Sequence, residues 1–237
     1  MVPCSVVELR QYTLHPGRRD TLVELFERAF IEPQEAVGIR VLGQFEDLDR
    51  PDRFVWFRGF ADMDARRAAL TSFYGGKVWA EHRNAANATM IDSDDVLLLR
   101  PVRPNGGFPR RKGTAPGTRE TSRLLVRILH RAPGVDDLIH FCLENVEPAL
   151  EGTGAPVVAW LETEHAPNDY PRLPIRTDAD VVVCVSAFPD EGALRRHLAL
   201  LAADLSWAEE VVPALRRRIA RDPEQLVLRA TPRSVLW

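Results

Sequence analysis

The strongest pattern in this chain is the segment Phe54-Val-Trp-Phe-Arg-Gly-Phe60, which is followed directly by Ala61-Asp-Met-Asp-Ala-Arg-Arg67. Bulky residues at both odd and even positions of the first part predict a strand that buries side chains on both sheet faces. The second part changes to a helical period, which predicts a helix that starts immediately after the strand.

The same strand-to-helix unit occurs a second time, where Val181-Val-Val-Cys-Val-Ser-Ala-Phe188 leads into Pro-Asp-Glu-Gly-Ala-Leu-Arg-Arg. Nineteen positions separate Phe60 from Trp79, and nineteen separate Phe188 from Trp207. A strand-ending Phe and a helical Trp at one spacing in both halves indicate an internal repeat.

The first half predicts the order β-α-β-β-α-β, the split unit of ferredoxin-like folds. A strand over residues 6–14 closes at Pro16-Gly17, and a helix from Arg19 or Asp20 is ended by Pro33 and Gly38. Strands follow over 39–45 and 54–60, then a helix capped by Asp62 or Asp64. Gly75-Gly76 interrupts it before a helix carrying Trp79, His82, Ala86 and Met90, and residues 96–100 form the last strand.

The second half follows the same order, with strands predicted over 124–129, 157–161, 181–188 and 225–230. A longer insert, residues 165–179, separates its second and third strands and is interpreted as a tolerated loop, with a lid as the alternative. Three regions are expected: a first domain over 1–103, a linker over 104–121 rich in Pro and Gly, and a divergent second domain over 122–237.

Composition limits the classes of function that the chain can have. Its 237 residues are 45% hydrophobic and carry a net charge of -3, which gives no electrostatic case for nucleic acid or a membrane surface. Three dispersed cysteines without a CxxC pair indicate free thiols and a reducing compartment. The start of the sequence lacks a signal-peptide pattern, so a cytoplasmic location is expected.

Glu8-Leu-Arg-Gln-Tyr-Thr-Leu-His-Pro-Gly17 and the aromatic strand with its Arg-bearing helix start resemble the NIPSNAP family over residues 6–102. The second repeat resembles the family only in its order of strands and helices. The resemblance implies the dimeric α+β barrel superfamily, an α+β class in which two ferredoxin-like sheets cover each other's apolar faces. Both copies are in one chain here, so the barrel is expected to close within it or, alternatively, within a homodimer.

Comparison of the two halves suggests where a site could lie. Glu8, Arg10 and Tyr12 correspond to Leu125, Arg127 and Leu129, while Trp56, Arg58 and His82 correspond to Cys184, Ser186 and Glu210. Repeat one thus keeps polar and aromatic groups that repeat two has largely lost, which favours a small-molecule pocket between its sheet and helices. The candidate catalytic residues are Arg10, Tyr12, Arg58 and His82, and the candidate binding residues are Glu8, Phe26, Trp56 and Trp79.

Each of these residues also has a structural interpretation. Glu8, Arg10 and Arg58 could form a cross-strand charge network on a solvated face, Trp79 could be core, and His82 could be an ordinary helix residue. The leading functional hypothesis is a cofactor-independent enzyme of acid-base or oxygenase type acting on an apolar or aromatic metabolite, for example in secondary metabolism. The alternatives are a non-catalytic binding or structural barrel and, less favoured, a haem enzyme that ligates iron through His82. Scattered histidines predict no metal site.

Overall fold

The computed structural model describes residues 4–103, 108 and 121–236. The predicted linker over 104–121 lies outside the described residues except at positions 108 and 121. The strands are β1 (Val6–Leu14), β2 (Arg40–Asp47), β3 (Arg53–Phe60), β4 (Met90–Pro101), β5 (Arg123–His130), β6 (Val157–Thr163), β7 (Val181–Phe188) and β8 (Glu224–Ala230).

The helices of the first half are α1 (Arg19–Ala29), α2 (Ile31–Ala36), α3 (Met63–Tyr74) and α4 (Lys77–Asn87). Those of the second half are α5 (Leu138–Phe141), α6 (Glu147–Gly152), α7 (Glu191–Ala203) and α8 (Val212–Arg216), with π-helical turns at Cys142–Val146 and Trp207–Val211 leading into α6 and α8. Within the described ranges, no helix combines the length and apolar character that crossing a membrane requires.

The eight strands form one closed barrel in the order β1-β3-β2-β8-β5-β7-β6-β4. Each half contributes four neighbouring strands, and the antiparallel pairs β2–β8 and β4–β6 join the halves on both sides. The predicted fold class, two tandem ferredoxin-like units in a barrel of the dimeric α+β type, is therefore confirmed. Closure occurs within one chain, so no second copy is needed to cover either sheet.

The strand registers of the two halves agree. Glu8 lies opposite Arg58 on β1 and β3, and the corresponding pair on β5 and β7 is Leu125 opposite Ser186. Both halves also turn after their first strand at a glycine of positive φ, 73° at Gly17 and 77° at Gly134. For the first and third strands of each half, the correspondence predicted from sequence is therefore the one that the strand registers show.

Alternation along the strands divides the buried side chains into a barrel interior and two outer layers. The interior is apolar and includes Leu9, Phe57, Val126 and Val183. The opposite faces of the same strands pack against the helices, in one aromatic-rich layer for the first half and one aliphatic-rich layer for the second. Glu8, Arg10 and Arg58 lie on a helix-covered face, so their surroundings are buried rather than solvated.

Two element boundaries differ from the sequence prediction. Pro33 does not end the first helix, because the chain restarts as α2 and Pro33 lies in its first turn, where no intrahelical N–H bond is lost. Met90 does not belong to α4, which ends at Asn87. The last strand begins at Met90 instead of residue 96, because residues 90–95 continue to pair with β1 through register shifts.

Candidate active site

A cavity of about 330 Å³ opens between the sheet and helices of the first half. This volume lies at the lower end of the range typical of small-molecule sites. Its walls include all three tyrosines of the chain, together with tryptophan and three arginines. The lining residues are Arg10, Tyr12, Tyr74, Trp79, Arg83, Asn87, Met90, Ser93, Tyr170, Arg172 and Leu173.

A buried ionic network lies next to this cavity and is centred on the carboxylate of Glu8. Glu8 Oε2 accepts hydrogen bonds from Arg10 Nη1 and Arg58 Nε, and Oε1 accepts one from Arg66 Nε, each at 2.7 Å. All four side chains are at most 1% exposed. Beyond Glu8, Arg66 pairs with Asp169, so three guanidinium groups face two carboxylates in this network.

The charges of the network fix the protonation state of Glu8. Burial alone would raise the pKa of its carboxyl group, but the positive charges of Arg58, Arg10 and Arg66 outweigh burial and hold that pKa far below its usual value. Glu8 is therefore ionised across the physiological range and cannot serve as a proton acceptor. Its role is to fix the orientation of the arginines.

Arg10 connects the network to the cavity. Its Nε donates a 3.0 Å hydrogen bond to the Tyr12 hydroxyl, and its Nη2 makes a longer 3.4 Å contact with the Ser93 carbonyl oxygen. Burial raises the pKa of Tyr12, an effect that the charge of Arg10 partly offsets, so the phenol keeps its proton at neutral pH. Because the Tyr12 oxygen accepts from Arg10, its own O–H remains able to donate toward a ligand.

Below the main cavity lies a smaller apolar space of about 30 Å³, lined in part by Phe26, Trp56 and Phe73. Tyr12, Tyr74, Trp79 and Met90 line both spaces. Phe26 and Trp56 meet edge to face with ring centroids 4.9 Å apart. The cavity therefore joins a polar wall carrying Arg10 to an aromatic floor.

The insert at residues 165–179 comes from the second half but covers the cavity of the first. Its backbone follows β4, with the Arg176 amide donating to the Val96 carbonyl at 2.9 Å. Tyr170 stacks on Tyr74 with ring centroids 6.1 Å apart and an interplanar angle of 28°, and Asp169 pairs with Arg66. The insert therefore packs against the first half and covers one side of its cavity, and it does not project into solvent as a free loop.

The structure places the sequence-predicted site residues in four groups. Arg10, Tyr12 and Trp79 line the main cavity, and Phe26 and Trp56 line the apolar space below it. Glu8 and Arg58 lie behind the wall, and Arg58 reaches the cavity through Tyr74, to whose hydroxyl its Nη1 donates at 3.3 Å. His82 lines neither space; it lies beside Glu81 and against the Phe30 ring, 28% exposed.

Sequence reasoning missed Arg66, Tyr74, Tyr170 and Arg172. Arg66 is the first residue of the Arg-Arg pair in the first turns of α3. Its side chain is 0% exposed, but its position in the helix does not show from sequence whether it faces the core or the solvent. Tyr74 and Tyr170 carried one usable signal, since they are two of only three tyrosines in the chain. The described residues also contain no cluster of three or more His, Cys, Asp or Glu able to hold a metal ion.

The corresponding layer of the second half has a different arrangement around Arg127. Arg127 Nη2 lies 2.9 Å from His197 Nε2, and His197 Nδ1 lies 2.8 Å from Thr153 Oγ1. Because a guanidinium can only donate, Nε2 must accept, which assigns the proton to Nδ1. Burial, and then the charge of Arg127, lower the pKa of His197 to about 4.

This histidine should make the stability of the protein depend on pH. Its folded pKa of about 4 lies below the ordinary value of 6.5, so its contribution is complete above 6.5 and is lost as the pH falls toward 4. We expect a loss of roughly 2–3 kcal/mol in the free energy of unfolding over that window. Urea unfolding from pH 7 to 4.5 measures it, and the double variant Arg127→Met/His197→Leu should show a flatter profile. An equal slope in both proteins would contradict the assignment.

Comparisons with known proteins agree with this architecture. The NIPSNAP family model matches residues 7–104. An anthrone oxidase-like protein superposes with a TM-score of 0.63 and 13% identity, covering 97% of this chain and 93% of its own. A candidate monooxygenase from Lactobacillus acidophilus NCFM gives a TM-score of 0.59 and 10% identity, with 95% and 93% coverage.

A candidate monooxygenase from Fusobacterium nucleatum subsp. nucleatum superposes with a TM-score of 0.62 and 8% identity, covering 97% of this chain and 94% of its own. None of the curated protein sequences compared with the chain matches it. Identities this low establish a shared fold and carry no statement about reaction. Over its first half the chain is similar to the NIPSNAP family, and its two halves together form a barrel of the dimeric α+β type closed within one molecule.

Proposed function

We propose that the protein is an enzyme that acts on a small planar aromatic molecule in the cavity of its first half, with a reaction of acid-base or oxygenase type that needs no cofactor. The observation that carries the proposal is the meeting of Tyr12, Tyr74, Tyr170 and Trp79 around one cavity beside the buried guanidinium of Arg10. Aromatic walls with a few convergent polar groups are typical of sites for planar ligands.

In this proposal Arg10 and Tyr12 together stabilise an oxyanion on the ligand. Arg10 supplies a fixed positive charge, and the Tyr12 hydroxyl, held by Arg10 Nε at 3.0 Å, supplies a neutral donor. Pre-oriented donors of this type contribute roughly 3–4 kcal/mol of barrier lowering in enzymes that stabilise oxyanions. Glu8 and Arg58 act as positioning residues, because they hold Arg10 and Tyr74 without lining the cavity themselves.

An enolate held in this way is electron-rich enough to react with dioxygen without a metal. For anthrone, the net reaction with one O₂ gives anthraquinone and water: the methylene carbon loses two hydrogens and gains the oxygen of a new carbonyl group. The carbon is oxidised and dioxygen is reduced, so atoms and electrons balance. The fold shared with the anthrone oxidase-like protein is the reason for choosing anthrone as the first compound to test.

The direct experiment is oxygen consumption by the purified protein with anthrone under air, with the quinone product followed by its absorbance. We expect uptake above the spontaneous rate and its loss in Tyr12→Phe. Native mass spectrometry of protein purified from its own host tests the same site independently by revealing a retained aromatic ligand. A retained ligand without oxygen uptake would instead favour a non-catalytic binding protein. In either case the cavity would still be a binding site for a small molecule.

The haem alternative depends on His82, and the geometry gives it no support. His82 is not among the residues lining the main cavity or the apolar space beneath it. Its ring lies 6.2 Å from the Phe30 ring centroid and 3.9 Å from a Glu81 carboxylate oxygen, as in an ordinary helix surface position. No step of the proposed reaction therefore uses His82.

A further inference from the structure

The ionisable groups around the cavity are unevenly distributed in sign. Its lining contains Arg10, buried at 1% exposure, and two exposed arginines at the mouth, Arg83 and Arg172. No aspartate or glutamate is among the lining residues. The cavity wall is therefore cationic as well as aromatic.

The buried network behind the wall does not neutralise this charge. Arg10, Arg58 and Arg66 carry three positive charges, whereas Glu8 and Asp169 carry two negative ones. The Nη2 atom of Arg66 is buried without a hydrogen-bond partner among the described residues. Arg58 Nη2 lies 2.7 Å from Glu8 Oε2, but Glu8 is already shared among three arginines. Among the residues that the structure describes, one buried positive charge of this network therefore has no matching carboxylate.

A buried uncompensated charge is unfavourable, and an anion at the cavity wall would remove that penalty. The geometry offers a position for it, because the longest polar contact of Arg10 is the one that reaches toward Ser93, a residue of the cavity lining. On β4, the carboxylate of Asp95 is paired with Arg176 at 3.4 Å. An incoming oxyanion would meet Arg10 and the Tyr12 hydroxyl together.

We propose that the cavity binds its aromatic ligand as the anion, a phenolate or enolate, and that the positive charge around Arg10 itself drives the ligand to ionise. This inference rests on the proposed function and adds the charge state of the ligand and the residue that sets it. The ligand's proton leaves to solvent while the cavity keeps the anion, so no side-chain base is required. The net charge of the buried network and ligand together is then zero.

Umbelliferone, a hydroxycoumarin whose neutral and anionic forms absorb at separate wavelengths, provides the test. Titrated with pH in the presence of saturating protein, its pKa should fall by about one unit or more on binding, equivalent to roughly tenfold tighter binding of the anion. Its O-methyl ether, which cannot ionise, should bind correspondingly more weakly. Arg10→Met should remove most of the shift, and Arg172→Gln at the exposed mouth should remove a smaller part.

Arg127→Met is the matched control, because it removes the corresponding arginine of the second half and should leave the shift unchanged. An unchanged or raised pKa of the bound dye, or equal affinity for the methyl ether, would overturn the inference while leaving a small-molecule site in place. Failure of both dyes to bind would also overturn it. A lowered pKa without oxygen consumption on anthrone would sustain the inference and point to an anion-binding protein that lacks the proposed reaction.

Discussion

Replacing Glu8 with Gln should lower the free energy of unfolding by about 3–5 kcal/mol, the range found when one partner of a buried ion pair is removed. The variant keeps the shape of the side chain but leaves Arg10, Arg58 and Arg66 without the carboxylate that all three contact at 2.7 Å. Equilibrium urea unfolding at neutral pH measures the loss. Asp64→Asn, which breaks an exposed pair with Arg67, should leave the unfolding midpoint unchanged.

A substitution at Arg10, in the same network, should not lower the free energy of unfolding in this way. Arg10→Met removes one of three positive charges that share Glu8, so the variant should be about as stable as the parent or slightly more so.

The dependence of stability on pH in the acid range supplies a further check on Glu8. Since the folded pKa of Glu8 is lowered, its contribution is present above the ordinary value of 4.5 and is lost as the pH falls below it. In Glu8→Gln, the stability of the protein should therefore depend less on pH in this acid range. A Glu8→Gln variant as stable as the parent at neutral pH would contradict the stabilising role assigned to the Glu8 carboxylate.

The largest functional effect is expected at Arg10. Arg10→Met should reduce kcat/KM for the cavity's substrate by about two to three orders of magnitude, as removal of an oxyanion donor does elsewhere, while thermal unfolding stays close to that of the parent. Arg58→Leu should show a similar loss of turnover, since Arg58 holds Tyr74 and Glu8 in place. The combination of lost turnover with retained melting temperature separates a functional residue from a scaffold residue.

Arg127→Leu is the control for both variants, because it stands at the equivalent place in the second half. Its turnover should remain close to normal. The prediction is wrong if Arg10→Met and Arg58→Leu lower the melting temperature strongly while the remaining folded protein still binds ligand. In that case these arginines stabilise the fold and the site lies elsewhere.

Sequence was sufficient for the features that depend on local periodicity. The alternation over β3 and β7, the Pro-Gly turns and the equal Phe-to-Trp spacing are each determined by residues near in sequence, and they predicted the repeat and its register. The same alternation placed Glu8, Arg10 and Arg58 on one face. Whether that face was solvated or covered depends on helices packing from elsewhere in the chain, so both interpretations stayed open until the structure showed burial.

The parts that could not be predicted depend on contacts between distant segments. Tyr170 and Arg172 reach the first half because β4 pairs with β6, an arrangement that no local pattern encodes. His82 illustrates a smaller uncertainty, since helical spacing relates it to Trp79 but does not determine which of the two residues borders a cavity. Tyr74 precedes the Gly75-Gly76 break, where helical periodicity is interrupted and the direction of a side chain is hard to infer.

Closure of the barrel within one chain has a consequence for how such a protein can change over generations. In a pair of identical subunits every substitution appears twice, so a residue that improves one face must also be tolerated on the other. Here the connection between β2 and β3 spans only residues 48–52, whereas the matching connection between β6 and β7 spans residues 164–180 and packs against the first half. Two unlike halves within one chain are free of this constraint, so that the first half can line the cavity while the second supplies the segment that covers it.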